Sequence, residues 1–89
     1  MVSVKASKPV EKIKKGDHIK VDGKSYEVDS QYVLIDHGHV KEMAIELFDP
    51  KTDKDYQIRY FHDQVEDSIS FWELKEIVYE QKEIEKVEW

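Results

Sequence analysis

The sequence lacks cysteine, and its 89 residues include only three glycines and two prolines. The absence of cysteine excludes disulfide bonds, thiolate ligands for zinc and a cysteine nucleophile. No apolar run approaches the roughly 20 residues that a membrane-spanning helix requires. The first residues, Met1–Lys5, lack the apolar core of a secretory signal peptide. We therefore expect a cytoplasmic protein without a membrane segment.

Common catalytic motifs are also missing from the sequence. It has no glycine-rich phosphate loop and no Gly-x-Ser-x-Gly nucleophile motif. Serines and histidines occur, but no spacing pairs them as nucleophile and base. Carboxylates are spread along the whole chain, so no acid–base pair stands out. We therefore expect no enzymatic activity and no cofactor.

Charge is abundant and unevenly distributed. Charged residues make up 38% of the chain, above the roughly 25% that is typical of globular proteins. The net charge of −6 repels phosphate unless a local basic patch exists. The first 24 residues lean basic, through Lys5, Lys8, Lys12, Lys14, Lys15, Lys20 and Lys24, whereas the segment from Glu66 onward leans acidic. This asymmetry is compatible with an RNA-facing end, but a solvated surface is the more typical origin of such charge runs.

Alternation of apolar and polar residues predicts four strands between residues 18 and 61. Turns separate them at Asp22-Gly23, at Asp36–His39 and at Asp49–Asp53, and Asp22-Gly23 is typical of a tight hairpin. The inward positions are Ile19 and Val21, then Tyr26, Val28, Tyr32 and Leu34, then Met43, Ile45 and Leu47, then Tyr56, Ile58 and Tyr60. Closing such a meander into a barrel removes its edges but needs a fifth strand. Residues 1–11 carry little apolar pattern and are predicted to form a flexible arm.

The C-terminal segment gives two conflicting signals. Ser70-Phe71-Trp72-Glu73 matches a helix capping box, and Phe71, Leu74 and Val78 have helical spacing. Ile77-Val78-Tyr79, however, is a cluster that favours a strand. The residues alone leave helix and strand open.

Four stretches of the chain resemble the N-terminal domain shared by elongation factor P and translation initiation factor five-A. Lys14–Val28 resembles the opening strands of elongation factor P, and His37–Lys41 is similar to a histidine-glycine-histidine-alanine-lysine stretch of initiation factor five-A. Glu46–Thr52 looks like a strand and turn of that family, and Val65-Glu66 followed by Tyr79 looks like its last strand. The resemblance implies a mainly β, SH3-like (KOW-like) barrel of about five strands over residues 12–80. It also favours a closing strand near residues 74–80, with residues 81–89 a helical or frayed extension.

One residue departs from this family at its functional position. In these factors the loop between the second and third strands carries a modified lysine that reaches toward the catalytic centre of the ribosome. Asp36 stands at that position here, and Lys41 aligns with a different family lysine. A carboxylate cannot form the amine-bearing adduct, so the family's peptide-bond role does not carry over to this chain.

The same loop contains a candidate metal-binding pair, His37 and His39, on either side of Gly38. Imidazole nitrogens bind zinc, copper and nickel, and His62 and Asp63 could supply further ligands. A zinc site needs three or four protein ligands, of which the sequence provides only the first pair. The alternative is an exposed turn in which Gly38 supplies a positive φ angle.

Aromatic residues are numerous for so small a domain. They could stack single-stranded bases on a barrel face or simply form the core. The residues concerned are Tyr26, Tyr32, Tyr56, Tyr60, Phe48, Phe61, Phe71 and Trp72. Phe48 and Phe61 fall opposite the other apolar residues of their strands, which favours contact with a partner.

The leading hypothesis is a non-catalytic, translation-related module that contacts RNA or a ribosomal protein. Its candidate contacts are the loop residues Asp36, His37, Gly38, His39 and Lys41, together with Lys12, Lys14, Lys15, Lys20, Lys24, Phe48 and Phe61. The alternatives are a protein–protein interaction or homodimerisation domain without a nucleic-acid role, and a metal-binding domain centred on His37 and His39. The sequence does not predict the oligomeric state.

Overall fold

In the computed structural model, which describes residues 2–89, eight strands form one curled sheet. The strands are β1 (Ser3–Lys5), β2 (His18–Val21), β3 (Lys24–Asp36), β4 (Lys41–Phe48), β5 (Asp55–Phe61), β6 (Ser70–Lys75), β7 (Val78–Lys82) and β8 (Lys86–Glu88). A short 3-10 helix spans Val10–Lys12, and the single-turn helix α1 spans Val65–Ser68. The strand order is β1-β8-β2-β3-β4-β5-β6-β7. The prediction of a small, mainly β, barrel-like fold is confirmed, with eight strands rather than about five.

The first hairpin forms where the sequence predicts it. Val21 pairs with Lys24, and the two residues between them, Asp22 and Gly23, have φ angles of 49° and 83°. Two consecutive positive φ angles match the twist of the flanking strands. The prediction of a tight turn at Asp22-Gly23 is confirmed.

Strand β3 is longer than its neighbours and contains two β-bulges in its pairing with β4. The register shifts between Val28 and Ser30 and again between Val33 and Ile35. Each extra residue reverses the face to which the following side chains point. As a result Val28 is buried in the core, whereas Tyr32 lies on the opposite face and is 39% exposed. The prediction that Tyr32 shares a face with Val28 is therefore wrong.

The C-terminal segment is built from strands. The capping-box residues 70–73 lie in β6, and Phe71 is buried against Ile58 of β5. Residues 74–80 hold the end of β6, a turn and the start of β7, rather than one closing strand. Beyond them β8 pairs with β2 and buries Val87 completely, which a frayed or helical extension would not do. Pairing with other strands therefore decides between the two local signals in favour of strand.

The N-terminal segment is also tied to the sheet. Within residues 2–11, β1 pairs in parallel with β8, and Val10 is buried in the core. The flexible arm predicted for residues 1–11 thus coincides with a strand and a core residue; Met1 lies outside the described residues. The partner of β1 comes from the opposite end of the chain, so no local pattern reveals it. The domain boundaries at residues 11 and 80 stay predictions.

Most of the core lies on one face of the sheet, which we call the core face. Its buried residues are Val10, Ile13, Ile19, Val21, Tyr26, Val28, Ile45, Leu47, Tyr56, Ile58, Tyr60, Ile69, Phe71 and Val87. The rings of Tyr56 and Phe71 stack with centroids 5.2 Å apart, and Tyr26 meets Tyr56 edge-on at 4.9 Å. Four of the eight candidate aromatics are therefore core residues.

Candidate binding face

The sheet face opposite the core carries an ordered cluster, which we call the polar-aromatic face. It comprises Tyr32 of β3, Glu46 of β4, Gln57 and Arg59 of β5, Trp72 of β6 and Tyr79 of β7. Strand register brings them together, because Ala44 lies between Tyr32 and Arg59, and Gln57 lies between Glu46 and Trp72. Unlike the core face, this cluster is only partly covered.

Glu46 accepts hydrogen bonds from three of these side chains. The Tyr32 hydroxyl donates to Oε1 over 2.5 Å, and the Gln57 amide nitrogen donates to the same oxygen over 2.9 Å. The Tyr79 hydroxyl donates to Oε2 over 2.7 Å. Burial, followed by this hydrogen bond to Glu46, raises the pKa of Tyr79, and the same two causes raise the pKa of Tyr32. Both phenols therefore stay protonated as donors, and the carboxylate is compensated within the cluster.

The contact between Tyr79 and Glu46 depends on the shape of the sheet. Strands β5 and β6 lie between β4 and β7. Three strand spacings would separate β4 from β7 by about 14 Å in a flat sheet. The curl of the sheet brings the two side chains within hydrogen-bonding distance.

Arg59 is the only arginine in the chain. Its Nε donates to the side-chain oxygen Oε1 of Gln57 over 2.5 Å. Its guanidinium carbon lies 4.0 Å from the centroid of the Trp72 ring and 5.7 Å from the centroid of the Tyr79 ring. The negative faces of aromatic rings attract such a cation. The Trp72 indole is itself held by a 2.8 Å hydrogen bond to the Ser70 hydroxyl. Within residues 2–89 the two terminal nitrogens of Arg59 have no hydrogen-bond acceptor, so an external oxygen ligand can use them.

Gln57 connects the two charged groups of the face. Only 2% of it is exposed. Its side-chain oxygen Oε1 accepts a hydrogen bond from Arg59. Its side-chain nitrogen Nε2 donates to Glu46 and, over 3.2 Å, to the Tyr32 hydroxyl. The amide therefore fixes the orientation of a cation on one side and an anion on the other.

Sequence reasoning identifies this face only in part. Tyr32 and Trp72 belong to the predicted aromatic set, but Glu46, Gln57, Arg59 and Tyr79 are not among the candidate site residues. The available signal was a lone arginine in a strand, two residues after a glutamine on the same side. No pattern in the sequence indicates that Tyr79 belongs to this face, because its contact with Glu46 depends on the curl of the sheet.

The loop that resembles initiation factor five-A forms the tip of the β3–β4 hairpin. Gly38 has a φ of 89°, and its N–H donates to the Asp36 carboxylate over 2.8 Å. The Lys41 N–H donates to Nδ1 of His62 over 2.9 Å, and the His37 ring lies 6.0 Å from that of Phe61. Asp36 thus stabilises the turn, and Gly38 supplies the predicted positive φ.

The histidines do not form a three-ligand site. In the described part of the chain, no group of three or more histidine, cysteine, aspartate or glutamate residues could hold a metal ion. His62 already accepts a hydrogen bond through Nδ1, and Asp63 is exposed. The pair His37 and His39 therefore gains no third partner from the fold.

Phe48 and Phe61 lie on the same side of the sheet as the polar-aromatic face, as expected. Phe48 pairs with Asp55 at one end of the β4–β5 ladder, and Phe61 pairs with Glu42 at the other. Six residues of strand, about 20 Å, separate these ends. Both rings are half-buried. The two residues flank the cluster, and their role in binding stays a prediction.

The five candidate lysines do not form one cationic surface. Lys24 forms an ion pair of 2.8 Å with the buried Asp49, whereas Lys12, Lys14, Lys15 and Lys20 are exposed and make no ion pair within residues 2–89. Lys20 lies opposite Glu88 in the β2–β8 pairing. The fold thus places part of the acidic C-terminal segment beside the basic N-terminal segment. At this pairing, the two oppositely charged segments lie side by side.

Comparisons of the chain with family models, with curated proteins and with solved structures find no match. Across residues 2–89, no helix has the length and apolar character needed to cross a membrane.

Proposed function

We propose that this protein is a non-catalytic binding module that docks a segment of another protein on the polar-aromatic face. The observation that carries the proposal is the fixed Arg59–Trp72 stack beside the hydrogen-bonded Glu46. Aromatic and arginine side chains dominate the binding energy of protein interfaces. Here they are ordered before any partner arrives, which lowers the entropic cost of binding.

The charges of this side of the sheet favour a protein partner over RNA. Arg59 is its one cation among the outward positions of β4 and β5, while Glu42, Glu46 and Asp55 are anions there. An RNA strand needs several cations along its phosphates. A protein segment needs only a few complementary contacts, which this surface can provide.

Affinity capture with a matched variant tests the proposal. The wild-type protein and Trp72→Ser would each be immobilised and exposed to extract of the source cell, with and without nuclease treatment. Gln64→Ser, which changes an exposed residue that precedes α1 and lies outside the polar-aromatic face, is the control. Circular dichroism would verify that all three proteins are folded.

We expect a protein that is retained by the wild type and by the Gln64 variant, survives nuclease and is lost with Trp72→Ser. Equal retention by all three would place the binding surface elsewhere and overturn the proposal. Retention that disappears with nuclease would favour the RNA candidate instead.

The second candidate is the translation-related module that contacts RNA or a ribosomal protein. It rests on the resemblance to the N-terminal domain of elongation factor P and on the four exposed lysines without ion pairs, Lys12, Lys14, Lys15 and Lys20. These lysines lie outside the polar-aromatic face, so the two candidates predict different contact residues.

Titration with RNA at several salt concentrations tests this candidate. Phosphate binding releases counterions, so the affinity should fall steeply as salt rises. Replacing Lys14 and Lys15 together by glutamine should weaken binding. Absence of binding even at low salt would count against the RNA version.

A further inference from the structure

We propose that the polar-aromatic face recognises an extended peptide segment with a basic–acidic–neutral–basic pattern at every second residue. This inference rests on the proposed function and specifies the chemistry of the partner. It places one carboxylate of the segment on the terminal nitrogens of Arg59.

The β4–β5 ladder presents its outward residues in four rows. The rows are Glu42 with Phe61, Ala44 with Arg59, Glu46 with Gln57, and Phe48 with Asp55. Successive rows are two residues apart, or about 7 Å. An extended peptide presents alternate side chains at the same spacing, so one side chain can meet each row.

Three of the four rows offer a charged group to a partner. The first row carries the Glu42 carboxylate, the second carries the Arg59 cation, and the fourth carries the Asp55 carboxylate. In the third row, Glu46 already accepts three hydrogen bonds from Tyr32, Gln57 and Tyr79. A neutral side chain therefore complements the third row. The complementary order of the four peptide side chains is basic, acidic, neutral and basic.

The second row sets the most specific requirement. Guanidinium geometry matches a carboxylate through two parallel hydrogen bonds. The Gln57 side chain accepts from Nε, and the guanidinium carbon lies 4.0 Å from the centroid of the Trp72 ring. These two contacts hold the guanidinium and leave its terminal nitrogens available for such a pair. A lysine in place of Arg59 would present a single ammonium group, which cannot form two parallel hydrogen bonds with a carboxylate.

Defined peptides provide the probes. The matched peptide is Lys-Thr-Glu-Thr-Val-Thr-Lys, and a second peptide, Lys-Thr-Val-Thr-Glu-Thr-Lys, tests the opposite chain direction. The control peptide carries lysine in place of the glutamate. The acidic protein attracts this more basic control by net charge, so a preference for glutamate cannot come from nonspecific attraction.

Binding would be followed by NMR, through the backbone amides, the Arg59 Nε–H and the indole N–H of Trp72. The protein variants are Arg59→Gln and Arg59→Glu. Lys5→Gln is the matched control, because it also removes one positive charge but lies exposed on the distant edge strand β1.

For the wild type and the Lys5 variant, we expect shifts confined to the polar-aromatic face. One of the two glutamate peptides should bind about tenfold more tightly than the lysine control. Arg59→Gln should lose this preference. Arg59→Glu should reverse it and bind the lysine peptide better, whereas the Lys5 variant, which loses a positive charge elsewhere, should keep the preference for glutamate.

Two results would overturn the inference. One is the absence of shifts on the face at millimolar peptide, and the other is an unchanged preference in Arg59→Glu. If capture of a protein partner still depends on Trp72 in that case, the proposed function stands and only the charge pattern falls. If the variants of residue 59 fail to fold, the preference of the wild type between the glutamate and lysine peptides still decides the question.

Discussion

The two faces of the sheet differ in how their side chains are held. On the core face, Ile45 and Ile58 are at most 1% exposed and pack among other apolar groups. On the polar-aromatic face, Tyr32 is 39% exposed and is held by a hydrogen bond to Glu46. Apolar burial has no direction, so core residues tolerate replacement by others of similar volume. Hydrogen bonds and cation–π contacts depend on geometry, so loss of one member disturbs its neighbours. The sheet thus separates a face that stabilises the fold from one that holds functional groups in position.

The largest effect is expected from a cavity on the core face. Ile58→Ala should lower the free energy of unfolding by about 2–5 kcal/mol, because the residue is completely buried. Urea denaturation measures this loss. Ile58→Val, the milder control, should cost about 0.5–1.5 kcal/mol. A loss no larger than that of the valine variant would show that the core face is not the main source of stability.

A smaller loss is expected when the polar-aromatic face loses its central amide. Gln57→Met keeps the approximate volume but leaves Arg59 and Glu46 without their shared partner. The expected cost is about 1–3 kcal/mol, since buried polar groups lose hydrogen bonds. NMR should also show the Arg59 side chain becoming mobile.

The control for this variant is Gln81→Met, on the exposed side of β7. It should change stability by less than about 0.5 kcal/mol. Equal effects of the two substitutions would mean that the hydrogen bonds of Gln57 add nothing beyond its volume.

Acid should weaken an ion pair that joins two turns at the rim of the sheet. The hydrogen bond from Lys24, followed by that from the Lys51 N–H, lowers the pKa of Asp49 to about 2. Because this pKa lies below the unfolded value of about 3.9, the stabilisation is complete above pH 4 and is lost as the pH falls toward 2. Asp49→Asn should therefore lower the urea midpoint at pH 7.

The same comparison at pH 2 supplies the internal control for Asp49. There the difference between the wild type and Asp49→Asn should be much smaller, because the carboxyl of Asp49 is about half protonated in the folded protein and almost fully protonated in the unfolded chain. We expect a smaller effect at pH 7 than for Gln57→Met, since asparagine can still accept from the Lys51 N–H. A difference that persists undiminished at pH 2 would assign the effect to packing rather than charge.

The smallest effect on stability is expected at Arg59. Arg59→Gln removes the cation over Trp72 but keeps an amide that can donate to Gln57, and it should cost about 0.5–1 kcal/mol, which is typical of a partly exposed cation–π contact. Capture of the protein partner should nevertheless be lost. Stability loss as large as that of Ile58→Ala would contradict the division of roles between the two faces.

The sequence by itself determined the mainly β class, the Asp22-Gly23 hairpin and the alternation that buries Ile19, Val21, Ile45, Leu47 and Ile58, because these depend on contacts between near neighbours and on turn chemistry. Only the tertiary structure decided the parallel pairing of β1 with β8, the choice of strand over helix in the C-terminal segment, and the phase reversal that moves Tyr32 away from the core. It also decided the polar-aromatic face, since Glu46, Arg59 and Tyr79 lie on three strands and meet through register and curl. The free energy of these arrangements comes from pairing between distant segments, which local propensity does not encode.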